Sequence, residues 1–392
     1  MGDSTVRRIS IFDSTLRDGE QAPGNAMQPE QKLDVALAIE AVGVDVIETG
    51  FPSSSPSDYK ATRLIAESMT SARIATLSRA QRRDINLAVE AGGTDRHHLQ
   101  IVATGSETHL KHKRGLSQAQ AQREAIEAIT YAKLLGVKHV TLGVEDASRG
   151  SDGLLRPLIV ESVAAGADIV ALADTTGCMI PAEFGGLVGR VRSWVPPEIV
   201  VSTHCHEDLG LSLANALAGI QAGAGEVQAT LAGVGERAGN TALEELLAVL
   251  TYKGELIGAT TTAKTDGLYL VFEIMRKAIG LSAPRNKAIF GVNAFATQAG
   301  IHQAGMLCAP INYEYVEPAR FGRERAILIG RHSGRSVLRH LFEDLHLPVD
   351  EQLVENIYQE FIANRTNGEC VDLDYVRKII TERSSSTCAD SV

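Results

Sequence analysis

The sequence predicts an α/β protein, a (β/α)8 TIM barrel followed by a small, mostly helical C-terminal region. From Arg8 to Leu250 the chain repeats one rhythm: a short β-branched or apolar run, a loop, then an amphipathic helix. Eight strands alternating with eight helices over about 240 residues match the count and size of such a barrel. The first strand-to-helix loop reads Asp13-Ser14-Thr15-Leu16-Arg17-Asp18, where a doubly wound open sheet would usually carry a Gly-rich phosphate loop.

In order, strands are expected near Ile9–Phe12, Asp45–Glu48, Ile74–Leu77, Leu99–Ala103, His139–Leu142, Ile169–Ala173, Ile199–Thr203 and Glu226–Leu231. The first long helix follows Pro29, a residue tolerated in a helix first turn, and covers Gln31–Val42 with Leu33, Leu37 and Val42 spaced for one buried face. Further helices are expected near Ser57–Met69, Arg82–Ala91, Ser117–Leu135, Leu154–Ala165, Pro181–Val191, Leu211–Gln221 and Ala242–Leu250. Most end at a glycine (Gly43, Gly92, Gly136, Gly166, Gly223), as helix C-termini prefer. After Lys253 the rhythm breaks. A helical segment near Gly267–Ile279 precedes a loop-rich stretch from Pro284 to Arg325, and a second helical unit covers Ser333–Glu382. The division expected is a catalytic barrel over 1–280, a linker or subdomain carrying His302 over 281–330, a helical subdomain over 331–383 and a disordered polar tail over 384–392.

With 38 basic against 48 acidic residues, the net charge of -10 argues against nucleic acid as the main partner. The cysteines Cys178, Cys205, Cys308, Cys370 and Cys388 are odd in number and show no CxxC pairing, so they suit a reducing compartment and offer no thiolate zinc site. No charged-then-apolar leader opens the chain, and no run approaches the ~20 apolar residues that span a bilayer. A cytoplasmic protein without membrane partners is expected.

Chemistry in such barrels sits on the loops after the strands. There the apolar run Ile199-Val200-Val201 leads into His204-Cys205-His206; on a strand the two imidazoles share one face and Cys205 points away. Asp18 joins them as a carboxylate, and Asn240 offers an amide oxygen. Mixed O/N ligation without thiolate suits magnesium, manganese or zinc with open positions for substrate. Taken singly, Asp18 also fits a salt bridge to Arg17 and Asn240 a helix cap. Arg17 beside a metal is what a reaction building charge on a carbonyl oxygen needs. Glu145 follows a strand as a candidate acid or base. Thr175 is a candidate contact for a substrate carboxylate, with a hydroxyl closing on backbone as the alternative. Glu48 reads as bracing the loops or contacting substrate. The run His109-Leu110-Lys111-His112-Lys113-Arg114 is basic enough to attract an anion, and Gly233–Asn240 is a loop whose backbone can approach the site closely.

These residues resemble a family. Phe12–Gln21, Ile47–Pro52, Glu145–Arg149, His204–Gly210, Gly233–Asn240, Asn293–Phe295, Gly300–Gln303 and His332–Arg335 are similar to motifs of the 2-isopropylmalate, homocitrate and citramalate synthases, across nearly the whole chain. The resemblance implies a metal-dependent barrel acyltransferase that condenses acetyl-CoA with a 2-oxo acid. It implies that Asp18, His204 and His206 bind the metal with Asn240 close by, that Arg17 stabilises the oxyanion and that Thr175 contacts the 2-oxo acid. Glu145 would work with His302 and Tyr313, His302 arriving from the other subunit of a homodimer through an exchanged C-terminal linker. A 2-isopropylmalate synthase-like activity is the leading expectation, with homocitrate or phosphonopyruvate-using synthases as alternatives. Hydroxymethylglutaryl-CoA lyases, which run an aldol-type cleavage, carry a cysteine in the glycine-rich loop, and Gly233–Asn240 has none. Leu142-Gly143-Val144 stands where isopropylmalate synthases usually show Phe-Ser-Pro, which bears on the identity of the 2-oxo acid. No leucine-sensing regulation is expected, because the long synthases place it in an additional C-terminal domain.

Overall fold

The computed structural model describes residues 6–389. Eight parallel strands close into a barrel: β1 (Ser10–Asp13), β2 (Val46–Gly50), β3 (Arg73–Arg79), β4 (His97–Thr104), β5 (His139–Glu145), β6 (Ile169–Asp174), β7 (Val200–Cys205) and β8 (Glu226–Ala229). Closure is made by β1 against β8, with Ser10 opposite Glu226 and Asp13 opposite Ala229. Helices Pro29–Ala41, Pro56–Ser68, Arg82–Gly92, Gln118–Leu134, Asp152–Ala164, Pro181–Trp194, Ser212–Gln221 and Leu243–Ile257 follow the strands in turn.

Strand alternation decides what reaches the site. On β4 the side chains of Leu99, Ile101 and Ala103 join the core outside the strands, while Gln100 and Val102 line the cavity at the barrel mouth. The same split gives Leu142 against Gly143 and Glu145 on β5, Val170 and Leu172 against Ala171 and Ala173 on β6, and Val201 and Cys205 against His204 on β7. Helix Gln118–Leu134 covers this sheet with small residues, Ala121, Ala125, Ala128 and Ala132, around a fully buried Ile129. Each buried isoleucine or leucine contributes roughly 1.5–3 kcal/mol, and the close approach allowed by the alanines lets the barrel pack tightly.

Helix Pro29–Ala41 differs from expectation in its buried face. That face is Lys32, Val35, Ala36 and Ile39, whereas Leu37 is 38% exposed. The physical reason is Lys32: its ammonium bonds to Glu20 at 2.5 Å and Asp58 at 2.6 Å, so a lysine occupies a position that charge alone would place in solvent.

From Ala283 onward the described residues, 283–389, form a second compact unit. In it Ala326–Ile329 pairs in parallel with Ala296–Thr297 and antiparallel with Val371–Asp372. Helices Gly300–Cys308, Arg335–Asp344, Glu351–Tyr358 and Leu373–Ala389 accompany these strands, over a core that includes Ile329, Leu338, Leu341, Phe342, Ile357 and Val376. Two expectations are corrected here. His302 lies on a helix rather than in a loop, and the polar stretch from Ser384, expected to be disordered, continues the last helix to Ala389. Residues 390–392 of the expected tail lie outside the described residues. Among the described residues no helix is long and apolar enough to cross a membrane.

Candidate metal and carbonyl site

The loop after β1 turns directly into a short helix, Asp18–Gln21, which sets Arg17 and Asp18 at the barrel mouth. There Asp18, His204 and His206 offer one ligand atom each within 4.8 Å of one another, and all three residues are buried. The two imidazole Nε2 atoms are 3.2 Å apart, and His204 Nε2 lies 3.5 Å from Asp18 Oδ2. His206 Nδ1 donates to the Gly239 carbonyl at 3.1 Å, which leaves its Nε2 lone pair facing the cluster. Asn240 Nδ2 donates to Asp18 Oδ1 at 2.8 Å, and the Asn240 Oδ1 is buried with no hydrogen-bond partner. An orphaned amide oxygen beside two inward-facing imidazole nitrogens and a carboxylate is a donor set fit for a divalent cation.

The glycine-rich loop makes this approach possible. A Cβ at Gly235 would stand 2.0 Å from Asn240 Nδ2 and 2.9 Å from Asp18 Oδ1. Within the same loop Arg237 takes a left-handed conformation (φ 57°), held by its guanidinium on Asp208 at 2.8–2.9 Å and on the Thr175 carbonyl at 2.6 Å.

Arg17 is gripped from two sides. Its Nε donates to Glu48 Oε2 at 2.7 Å and its Nη1 to Asp18 Oδ2 at 2.8 Å, while Ser14 Oγ donates to the same Glu48 oxygen at 2.5 Å. Burial alone would lower the Arg17 guanidinium, but Glu48 and Asp18 outweigh it and hold it above its ordinary value. Burial likewise opposes charge on Asp18, yet the Arg17 guanidinium keeps its carboxyl well below the usual range. Burial and the neighbouring His204 push His206 down to about 4, so it is a neutral imidazole with a lone pair to give.

A cavity of about 390 Å³ opens over this cluster. Of the residues singled out in the sequence, Arg17, Asp18, Glu145, Thr175, His204 and His206 line it. Glu145 is bonded through both oxygens to Lys113 Nζ at 2.6 and 2.7 Å. Thr175 Oγ1 accepts from the backbone N–H of Asp146 at 2.8 Å, so its own proton remains available. Neither of two expected substrate contacts, Glu48 and His109, lines this cavity. Glu48 is fully buried and absent from the lining, its oxygens turned to Ser14, Arg17 and Gln100, so it orients Arg17. His109 is also absent from the lining and holds Glu145 at 3.3 Å, with Asp146 at 3.6 Å from its other nitrogen. His302 and Tyr313 belong to the second unit and lie on one another with ring centroids 4.5 Å apart. Gly305 permits this, since a Cβ there would stand 2.4 Å from the Tyr313 ring.

Three participants escaped the sequence reading. Gln100 and Gln228 are buried amides that line the cavity, and Gln228 Oε1 lies 3.0 Å from His204 Nδ1. A glutamine flanked by apolar neighbours within a strand, Leu99 and Ile101 about Gln100 and Val227 and Ala229 about Gln228, was the available signal for both. Lys113 sat inside a basic run and carried no signal of its own as the partner of Glu145.

Fold and rim together define the HMGL-like class of barrel, with a mouth able to hold a divalent metal. The HMGL-like family model matches residues 8–273, and the "Homocitrate synthase post-HMGL domain-like" model matches residues 289–368. The chain is 40% identical to the 2-isopropylmalate synthase of Syntrophus aciditrophicus over 92% of its own length and 70% of that protein. It is 38% identical to the 2-isopropylmalate synthase of Sulfurisphaera tokodaii, over 97% of its own length and 96% of that protein. The chain belongs to the 2-isopropylmalate synthase family, acyltransferases that condense acetyl-CoA with a 2-oxo acid. The barrel fold is also that of the hydroxymethylglutaryl-CoA lyase of Pseudomonas aeruginosa (TM-score 0.62, 20% identity, 74% of this chain and 97% of that one). It recurs in the carboxyl transferase domain of Rhizobium etli pyruvate carboxylase (TM-score 0.54, 18% identity, 73% of this chain and 50% of that one).

Proposed function

We propose that the protein joins the methyl carbon of acetyl-CoA to the carbonyl carbon of a 2-oxo acid with an apolar side chain, 2-oxoisovalerate first among them, giving a 2-isopropylmalate-type product. The observation that carries this reading is the make-up of the cavity. Arg17 and the Asp18, His204 and His206 cluster suit a keto-acid head, and Leu77, Val102, Ala171 and Ala173 suit an apolar tail. Besides Arg17, the three cations on the lining are already engaged, Arg79 with Asp84 at 2.6 Å, Lys113 with Glu145 at 2.6 Å and Arg237 with Asp208 at 2.8 Å, which disfavours a second anionic group on the substrate.

A divalent magnesium, manganese or zinc ion held by Asp18, His204 and His206, with Asn240 alongside, would supply Lewis-acid polarisation of the carbonyl. Arg17, fixed by Glu48, meets the oxygen on which negative charge builds as the carbon–carbon bond forms. The Thr175 hydroxyl donates its free proton to the substrate carboxylate. Glu145 works with His302 and Tyr313 in moving the acetyl methyl proton, His302 supplied by the partner subunit of a homodimer as the motif resemblance implies. Thioester hydrolysis then releases CoA. The free thiols of Cys178, Cys205, Cys308 and Cys370 suit a reducing, cytoplasmic setting.

The test is thiol release from acetyl-CoA with 2-oxoisovalerate, pyruvate, oxaloacetate, 2-oxoglutarate and phosphonopyruvate. The highest kcat/KM is expected with 2-oxoisovalerate; a preference for 2-oxoglutarate or phosphonopyruvate would overturn the apolar-tail reading and point to Arg79 and Lys113 as anion contacts. Chelation should stop the reaction and added Mn2+ restore it. Co-refolded His302→Ala and His204→Ala chains should regain part of the activity lost by each alone. No regain would place the whole site within one subunit.

A further inference from the structure

Beneath the cavity a line of hydrogen bonds runs across the barrel interior, and its two ends differ in kind. At one end Glu48 is acceptor-only, its Oε2 taken by Arg17 and Ser14. Its Oε1 accepts from Gln100 Nε2 at 3.5 Å, the longest link. Gln100 Oε1 accepts from Gln228 Nε2 at 3.1 Å, and Gln228 Oε1 faces His204 Nδ1 at 3.0 Å. All four residues are buried. Gly143 leaves room for the line, because a Cβ there would press on Gln100 Cγ at 3.2 Å.

An amide can sit either way round unless something fixes it. Here the carboxylate does so. Glu48 can only accept, so Gln100 must show it the NH2 group and turn its oxygen to Gln228. Gln228 must then give its NH2 to Gln100 and present its oxygen to His204. An imidazole facing an amide oxygen must donate, so the His204 proton is on Nδ1 and its Nε2 lone pair faces Asp18 and His206. We propose that Gln100 and Gln228 are positioning residues that transmit the orientation set by Glu48 to His204, fixing the tautomer that ligates a divalent cation. The polarity runs β2, β4, β8, β7, and the same Glu48 orients Arg17, so one carboxylate arranges both the cation-binding nitrogen and the oxyanion partner.

This rests on the metal reading of the site, and the experiment separates the two. Mn2+ affinity is measured directly on metal-stripped protein, by the free-ion paramagnetic resonance signal, for wild type, Gln228→Leu, Gln228→Glu and Gln100→Leu. Loss of an outer partner of a ligating histidine typically costs 10–100-fold in metal affinity, and Gln228→Leu should fall by that amount. Gln228→Glu keeps an acceptor on His204 Nδ1 and should bind Mn2+ within about threefold of wild type. Gln100→Leu leaves Gln228 without its orienting partner and should fall between the two. Melting of the metal-free proteins checks that each is folded. Wild-type affinity in Gln228→Leu would overturn the proposal, as would equal weakening in Gln228→Glu and Gln228→Leu. No Mn2+ binding by the wild type would overturn the metal reading and this proposal with it.

Discussion

Replacing Gly235 with alanine puts one methyl group into the tightest place at the barrel mouth. The new Cβ would stand 2.0 Å from Asn240 Nδ2 and 2.9 Å from Asp18 Oδ1. Carbon needs roughly 3.5 Å from a neighbouring heavy atom, so the Asn240 amide must retreat by roughly 1.5 Å. Its 2.8 Å bond to Asp18 cannot survive that, and Asp18 loses a partner that holds it against the two imidazoles. A 1 Å misplacement of reacting groups can cost about 100-fold in rate. Gly235→Ala is therefore expected to lower kcat/KM in the thiol-release assay by about 100-fold, or roughly 2.7 kcal/mol of transition-state stabilisation. The accompanying stability loss should stay within the ~1–3 kcal/mol typical of overpacking. Gly189, inside a helix with nothing within 4 Å of an added Cβ, is the control: Gly189→Ala should leave turnover intact and raise stability slightly. A folded Gly235→Ala enzyme retaining more than a third of wild-type kcat/KM would refute the requirement for Asn240 against Asp18.

Other substitutions test neighbouring parts of the reasoning. Arg17→Lys keeps a charge but cannot reach Glu48 and Asp18 with separate nitrogens of one rigid plane, and kcat should fall about 10²–10³-fold with melting little changed; near-wild-type kcat would remove Arg17 from the oxyanion role. Lys32→Met strands Glu20 and Asp58, and urea unfolding should report a loss of about 3–5 kcal/mol; a change under 1 kcal/mol would mean that those carboxylates find water. Glu226 is pushed by burial from 4.5 to about 7, so the native state holds a proton that the unfolded chain releases. Its contribution is fullest below about pH 4.5 and is lost as pH rises through 7, by roughly 3 kcal/mol in total. Gln at this position should raise stability at pH 8 and give no gain at pH 4, and equal effects at both pH values would contradict the assignment.

The barrel was legible because its signal is repetition. Eight apolar runs each needed only a period of two and a helix behind it, and errors of up to three residues at the strand ends did not disturb the count. His204 and His206 were legible for the same reason, since strand alternation alone puts them on one face. What stayed hidden depends on pairing across distance. Lys32 reads as a surface residue until Glu20 and Asp58 are seen around it, and with it the buried face of its helix was misjudged. Glu48 could be read as bracing the loops or contacting substrate, and His109 as part of a basic loop; the partners they hold, Arg17 and Glu145, could not be named from the sequence. Gln100 and Gln228 sit 128 residues apart, and nothing local says that one bonds the other.

Three buried carboxyls inside the barrel wall show how the same residue chemistry divides between scaffold and site. Asp13 is pushed by burial to about 7, its oxygens accepting only from the backbone and hydroxyl of Thr15 at 2.9 and 3.0 Å. Glu226, at the opposite end of the barrel from the cavity, is pushed to about 7 in the same way, with Ser10 as a hydroxyl partner. Neither has a cation in hydrogen-bond contact, so burial dominates and each suits a proton. Asp18 is nearly as buried, yet Arg17 at 2.8 Å drives it the other way. A carboxylate held as an anion at the barrel mouth, with two imidazoles turned toward it, carries a negative charge that the protein only half offsets: Arg17 is shared with Glu48, leaving the trio Arg17, Asp18 and Glu48 one negative charge in excess. A divalent cation reverses that sign and leaves the mouth positive for an anionic 2-oxo acid.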